Sequence, residues 1–206
     1  MMDSTDLEEL KQILENKDSS EAVDFARDLD RKGVKYLDII MILQNMIIKE
    51  KDDDSVIEFA TNVHGANLKI FESYVCKHDR PEFIFRFALH VKGANIERLQ
   101  KAIIETGSTY NIYSFANNIP GADIPSLQKV IVESGNIKLM SRFALNVHGA
   151  DVSAIRESIM KLEPDSIPRF DADISLRKER LEKNYATESE IDSVLNYFKM
   201  KEVMET

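Results

Sequence analysis

The chain has 206 residues, 43% of them apolar and 31% charged, which is enough Leu, Ile, Val and Phe to build a core and excludes a disordered chain. A net charge of −9 and a pI near 5.0 oppose whole-surface attraction to nucleic acid or anionic lipid. A single cysteine, Cys76, excludes an internal disulfide. With no basic leader and no run of about eighteen apolar residues, a cytoplasmic, membrane-free chain folding as one domain over 1–206 is expected.

Residues 1–53 read as a helical cap. Thr5 with Glu8 forms a capping-box pattern ahead of Leu10, Ile13 and Leu14, and Asp18 with Glu21 repeats it ahead of Ala22, Phe25 and Ala26. Gly33 is expected to stop that helix, and Leu37, Ile40, Met41, Leu43 and Ile47 give a longer amphipathic helix from Tyr36 to Lys49.

From residue 54 to 163 one phrase returns every 28 residues: Phe59-Ala60, Phe87-Ala88, Phe115-Ala116 and Phe143-Ala144, each followed by Gly65, Gly93, Gly121 or Gly149. Self-similarity at a fixed period of this size predicts stacked units that bury their apolar sides on one another. Each unit carries two apolar bursts at helical spacing, for example Ile96, Leu99, Ile103 and Ile104, then Ile112, Phe115, Ala116 and Ile119. The Gly closes one helix, and Asn67, Asn95, Asp123 or Asp151 is placed to cap the next. Gly107 and Gly135 mark the second turn. The four Phe residues fall on the apolar stripe and are expected to form the core spine.

The pattern breaks at Pro164 and Pro168, so residues 164–206 are expected to be a C-terminal helical cap or arm, with helices at 174–184 and 187–203. The second of these opens with a Thr187 and Glu190 box and carries Ile191, Val194, Leu195 and Phe198.

The fold class expected is therefore all-α: a right-handed α-solenoid of short two-helix, 28-residue repeats with helical caps at both ends. The Phe-Ala-x-x-Val-x-Gly-Ala-Asn/Asp phrase over residues 54–163 resembles α-solenoid proteins of the HEAT, armadillo and tetratricopeptide kind. It is most similar to short helical repeats of uncharacterised bacterial and phage proteins. The resemblance implies architecture and a binding role.

Polar residues four apart on each Phe helix lie opposite the core: Arg86 with His90, Ser114 with Asn118, Arg142 with Asn146. Amide side chains bond both the N–H and the C=O of an extended peptide, so these six residues are the candidate partner-binding set. No catalytic, cofactor-binding or metal-binding residues are expected: the four His are scattered without ligand spacing, and there is no Gly-rich phosphate loop. The run Asp52-Asp53-Asp54 lacks the alternation of a calcium loop and reads as solvated. Two functions stay open: a non-catalytic protein–protein interaction scaffold that binds a protein or peptide along the repeat surface, and a helical-repeat nucleic-acid-binding protein or enzyme. The second calls for a basic concave stripe, and residues 51–163 are near neutral, with 13 Lys plus Arg against 14 Asp plus Glu.

Overall fold

Ten-residue helices are marginal alone in water and depend on packing, and seven of the described α-helices have that length. The computed structural model describes residues 2–32 and 36–183. Among these residues there are twelve α-helices, one 3-10 turn and no strand, so the fold class is all-α. Backbone proximity divides the chain into two units, Met1–Ala102 and Ile103–Thr206.

The first unit contains α1 (Ser4–Asn16), α2 (Ser19–Arg31), α3 (Leu37–Glu50), α4 (Asp53–Asn62), α5 (Leu68–Lys77), α6 (Pro81–His90) and most of α7 (Ile96–Glu105). Here α2 packs on α4 and α4 on α6, while α3 and α5 lie against this row. Phe25, Phe59 and Phe87 of the row and Phe71 of α5 are buried, with Phe59 and Phe71 rings 5.8 Å apart. Each such side chain contributes roughly 1.5–3 kcal/mol relative to exposure. The second unit contains α8 (Thr109–Asn118), α9 (Ile124–Glu133), α10 (Ile137–Asn146), α11 (Val152–Leu162), a 3-10 turn at Pro164–Ser166 and α12 (Ile167–Lys183). There α8 and α12 both pack on α10, and Phe115, Phe143 and Phe170 form the buried row.

The bounds of α4, α6, α8 and α10 are offset by 28 residues from one to the next. Each ends the same way: the Val or Ile after the helix is extended, and two residues later Gly65, Gly93, Gly121 or Gly149 takes a φ of 80 to 86°. An L residue with a Cβ is disfavoured there, which is why this turn keeps its Gly. Asp123 and Asp151 cap α9 and α11 by accepting from Ser126 N and Ala154 N, and Asn95 accepts from Arg98 N. The Asn67 side chain makes no cap bond.

Several expectations are corrected. The first capping box is Asp3 with Asp6, not Thr5 with Glu8: Asp3 accepts from Thr5 N and Asp6 N, and Asp6 accepts from Asp3 N. Lys32 Nζ, 2.7 Å from Asp6 Oδ1, selects that start from the end of α2. The helix expected from residue 174 begins at Ile167, because Pro168 lies in its first turn, where a missing N–H costs little. Cys76 is half-buried. Gly33 and the expected helix at 187–203 lie outside the described residues.

Candidate partner-binding face

In the first unit the outward side of α4 and α6 carries Asp54, Glu58, Glu82, Arg86 and His90. Arg86 is half-buried, because its Nη2 donates to Asp54 Oδ1 at 2.5 Å across the two helices. One helix back, Arg27 of α2 pairs with Glu58 at 3.2 Å. Arg80, ahead of α6, pairs with Asp53 at 2.5 Å. All three acids at the start of α4 are therefore engaged, since Asp52 caps the helix by accepting from Asp54 N and Ser55 N. The reading of this run as merely solvated was wrong: an acid at a helix N-terminus caps orphan N–H groups and gains from the dipole as well as from the neighbouring Arg. His90 is exposed, and its carbonyl accepts from the Thr61 hydroxyl at 3.5 Å.

In the second unit α8 and α10 present Ser114, Asn118, Arg142 and Asn146; Ser114 is half-buried and the others are exposed. The hydroxyl of Ser114 donates to Tyr110 O at 3.1 Å, and Asn118 Nδ2 donates to Ser114 O at 2.7 Å. Asn146 Nδ2 donates both to Arg142 O at 3.0 Å and to the Tyr113 hydroxyl at 3.1 Å. An amide carries two N–H donors, so those of Asn146 are spent inside the fold and its Oδ1 is what faces outward. Asn118 keeps one donor. The Asn118 Oδ1 accepts from Asn117 Nδ2 at 3.4 Å, so the face offers the Asn146 Oδ1 acceptor beside the donors of the Arg142 guanidinium, and Tyr113 joins it through Asn146.

Sequence reasoning missed a buried polar row. Gln44, on α3, holds the backbone of Asn67 from both sides: Asn67 N donates to Gln44 Oε1 at 2.9 Å and Gln44 Nε2 donates to Asn67 O at 3.3 Å. In the second unit Gln128 does the same to Asp151, at 2.7 and 3.3 Å. Glu72 accepts from Asn95 N at 2.8 Å, with Arg98 at 3.6 Å from its other oxygen. Gln100 is buried as well. These four side chains stand 28 residues apart, so the spacing that exposed the Phe residues was also available for them. Gln44, Glu72 and Gln128 anchor the turns that lead into α5, α7 and α11.

Also missed was a groove of about 410 Å³ between α9 and α11, lined among others by Pro125, Lys129 and Val132 on one side and Ala154 and Ser158 on the other. Positions 154 and 158 correspond, 84 residues earlier, to the larger Ile70 and Tyr74 of α5. The polar groups of the groove are already satisfied: Gln128 by Asp151, Ser158 by Ala154 O, and Lys129 by Glu133 at 3.9 Å. It offers apolar surface without a nucleophile and base in reach of each other.

Among the described residues no group of three or more His, Cys, Asp or Glu is placed to hold a metal ion, and no helix is long and apolar enough to cross a membrane. The Tyr74 phenol is pushed up by burial and by the Asp53 carboxylate, an effect the nearby Arg80 guanidinium partly offsets. Among the described residues its hydroxyl has no hydrogen-bond partner of good geometry, though the Arg80 side chain is near, and the ring sits 4.2 Å from His78 and 6.0 Å from Phe83.

These features define an all-α protein with a buried aromatic row and a polar outer face. Compared with known proteins, the chain matches no family model, no curated protein and no solved structure.

Proposed function

We propose that the chain is a non-catalytic scaffold, an α-solenoid of 28-residue two-helix units, that binds a protein or peptide along the outer faces of α4 with α6 and of α8 with α10. The observation that carries this reading is a contrast between the two sides of these helices. Their buried positions hold one residue type throughout, Phe59, Phe87, Phe115 and Phe143. One residue before each Phe, the outer positions change from Glu58 to Arg86 to Ser114 to Arg142. A constant frame with a varied outer surface is how repeat proteins fit one scaffold to a particular partner. The solenoid reading is supported by the 28-residue offset of the helix bounds. The nucleic-acid alternative draws less support, because Arg86 is already neutralised by Asp54.

The test is a variant with Arg86, Asn118, Arg142 and Asn146 all changed to Ala, compared with the native chain by thermal melting and by affinity purification from native cells with mass spectrometry. The Arg86–Asp54 pair and the Asn146–Tyr113 bond that the variant loses are surface contacts worth about 0–1 kcal/mol each, so the melting temperature should fall only modestly, whereas central interface contacts cost about 2 kcal/mol or more when removed. The expected result is a partner retained by the native chain and lost by the variant. Retention by both would move the site away from these faces.

A further inference from the structure

A helix face that remains exposed in a folded chain is normally polar, and an exposed apolar stripe rimmed by charge marks an association surface. On α3 the residues Asp38, Met41, Ile42, Asn45 and Lys49 are all exposed, and their steps of three, one, three and four place them on one stripe. Met41 and Ile42 are each 47% exposed, and Leu37 beside them is 66% exposed. The later helices show that the frame does not require this. At the positions of Met41 and Ile42, α5 has Lys69 and a half-buried Ile70, α7 has Glu97 and Arg98, and α9 has Pro125 and Ser126.

The ends of the stripe carry opposite charge: Asp38 at the start of α3, Lys49 at its end. Among the described residues neither makes an ion pair. At about 1.5 Å rise per residue they stand roughly 16 Å apart, equidistant from a point between residues 43 and 44. A two-fold axis through that point, perpendicular to α3, places Asp38 of one copy level with Lys49 of the other, twice, and brings the Met41 and Ile42 pairs together between them. A parallel arrangement would set Asp38 on Asp38 and Lys49 on Lys49, which like-charge repulsion disfavours. Self-complementarity of this kind is what an isologous dimer interface requires.

We propose that the outer stripe of α3 is a homodimer interface in which two copies of this chain pack their α3 helices antiparallel, apolar at the centre and with Asp38–Lys49 pairs at both ends. Sedimentation velocity of the full-length chain over a range of concentrations tests it. The native chain should show a concentration-dependent dimer, and Ile42→Glu should remain monomeric, with a melting curve that matches the native one at concentrations low enough for both to be monomers, the residue being exposed. Asp38→Lys and Lys49→Glu should each weaken the dimer about tenfold or more, since symmetry doubles every repulsion. The double variant should recover it, and an equimolar mixture of the two single variants should form a heterodimer. A native chain that stays monomeric at every concentration overturns the proposal, including one that instead sediments with anionic vesicles. A dimer insensitive to Ile42→Glu, or a double variant that fails to recover, overturns it equally.

Discussion

Gln44 is fully buried and bonds both polar groups of the Asn67 peptide unit, the turn that leads into α5. Replacing it with Met keeps the length and apolar stem of the side chain and removes both bonds. Two hydrogen bonds at about 0.5–1.5 kcal/mol each put the cost at about 1–3 kcal/mol. Gln44→Glu is the sharper perturbation: the acceptor for Asn67 N survives, but a carboxylate oxygen now faces Asn67 O. Glu72 carries this arrangement natively and has Arg98 beside it, three residues after Asn95. The residue three after Asn67 is Ile70. Gln44→Glu should therefore be less stable than Gln44→Met at neutral pH, and adding Ile70→Arg should recover part of the loss. Burial and the facing carbonyl favour the protonated form, so the introduced carboxyl has a raised folded pKa. The folded state then binds the proton more tightly than the unfolded state, and the deficit of Gln44→Glu should shrink as pH falls. Urea unfolding of the four proteins at pH 7 and pH 4 reads this out. If Gln44→Met lies within about 0.5 kcal/mol of native, or Gln44→Glu shows no pH-dependent recovery, the clamp contributes no stability and the reasoning fails.

Phe115, fully buried between neighbouring helices, should cost about 3–5 kcal/mol when cut to Ala, measured by denaturant unfolding; a loss under about 1 kcal/mol would remove the Phe row from the core. Tyr74→Phe deletes a buried hydroxyl that has no partner of good geometry and should leave stability unchanged or raise it by up to about 1 kcal/mol, so a clear loss in the same assay would mean that the hydroxyl is bonded in solution. Asp6 is held below the usual carboxylate range, first by its hydrogen bond from Lys32 and then by that from the Asp3 backbone N–H, so its contribution is present above the unfolded pKa of about 3.9 and is lost as pH falls through the lower folded value. The melting-temperature gap between native and Asp6→Asn should accordingly be constant above about pH 5 and close in stronger acid, and a gap that widens there contradicts the pairing.

What the sequence discloses here is whatever is local and periodic. Phe59, Phe87, Phe115 and Phe143 could be placed in the core because three-and-four spacing defines a helix face without reference to any neighbour. The N-terminal cap could not, since Asp3, Ser4 and Thr5 can all cap, and the choice among them depends on Lys32, 26 residues beyond its partner Asp6. Pro168 was misplaced because a breaker inside a helix and a starter in its first turn are the same residue. The candidate face was legible as an outer face, again from spacing. Its internal use was not: the Arg86–Asp54 pair and the Asn146–Tyr113 bond join residues 32 and 33 apart, and depend on the register of one helix against the next.

The buried polar row also bears on how α12 is held. A Gln clamp works only where another turn follows to be clamped, as Asp151 follows Gln128. Twenty-eight residues beyond Gln128 stands Arg156, and the chain after α11 holds no further Gly-Ala-Asn/Asp turn. Instead a 3-10 turn leads directly into α12. Arg156 takes a side-chain partner in place of the peptide group, giving a two-pronged pair with Asp171 of α12 at 2.8 and 2.9 Å. Such paired Arg–carboxylate bonds fix orientation as well as distance. Arg177, two turns on, donates to Ala144 O of α10 at 3.0 Å and ties α12 to the Phe143 helix. A planar guanidinium is the side chain that serves both contacts, because it needs only acceptors, which carboxylates and helix carbonyls supply, whereas Gln would also require a donor. The change from Gln to Arg at this position therefore marks the point where the side chain stops clamping a turn and secures α12 instead.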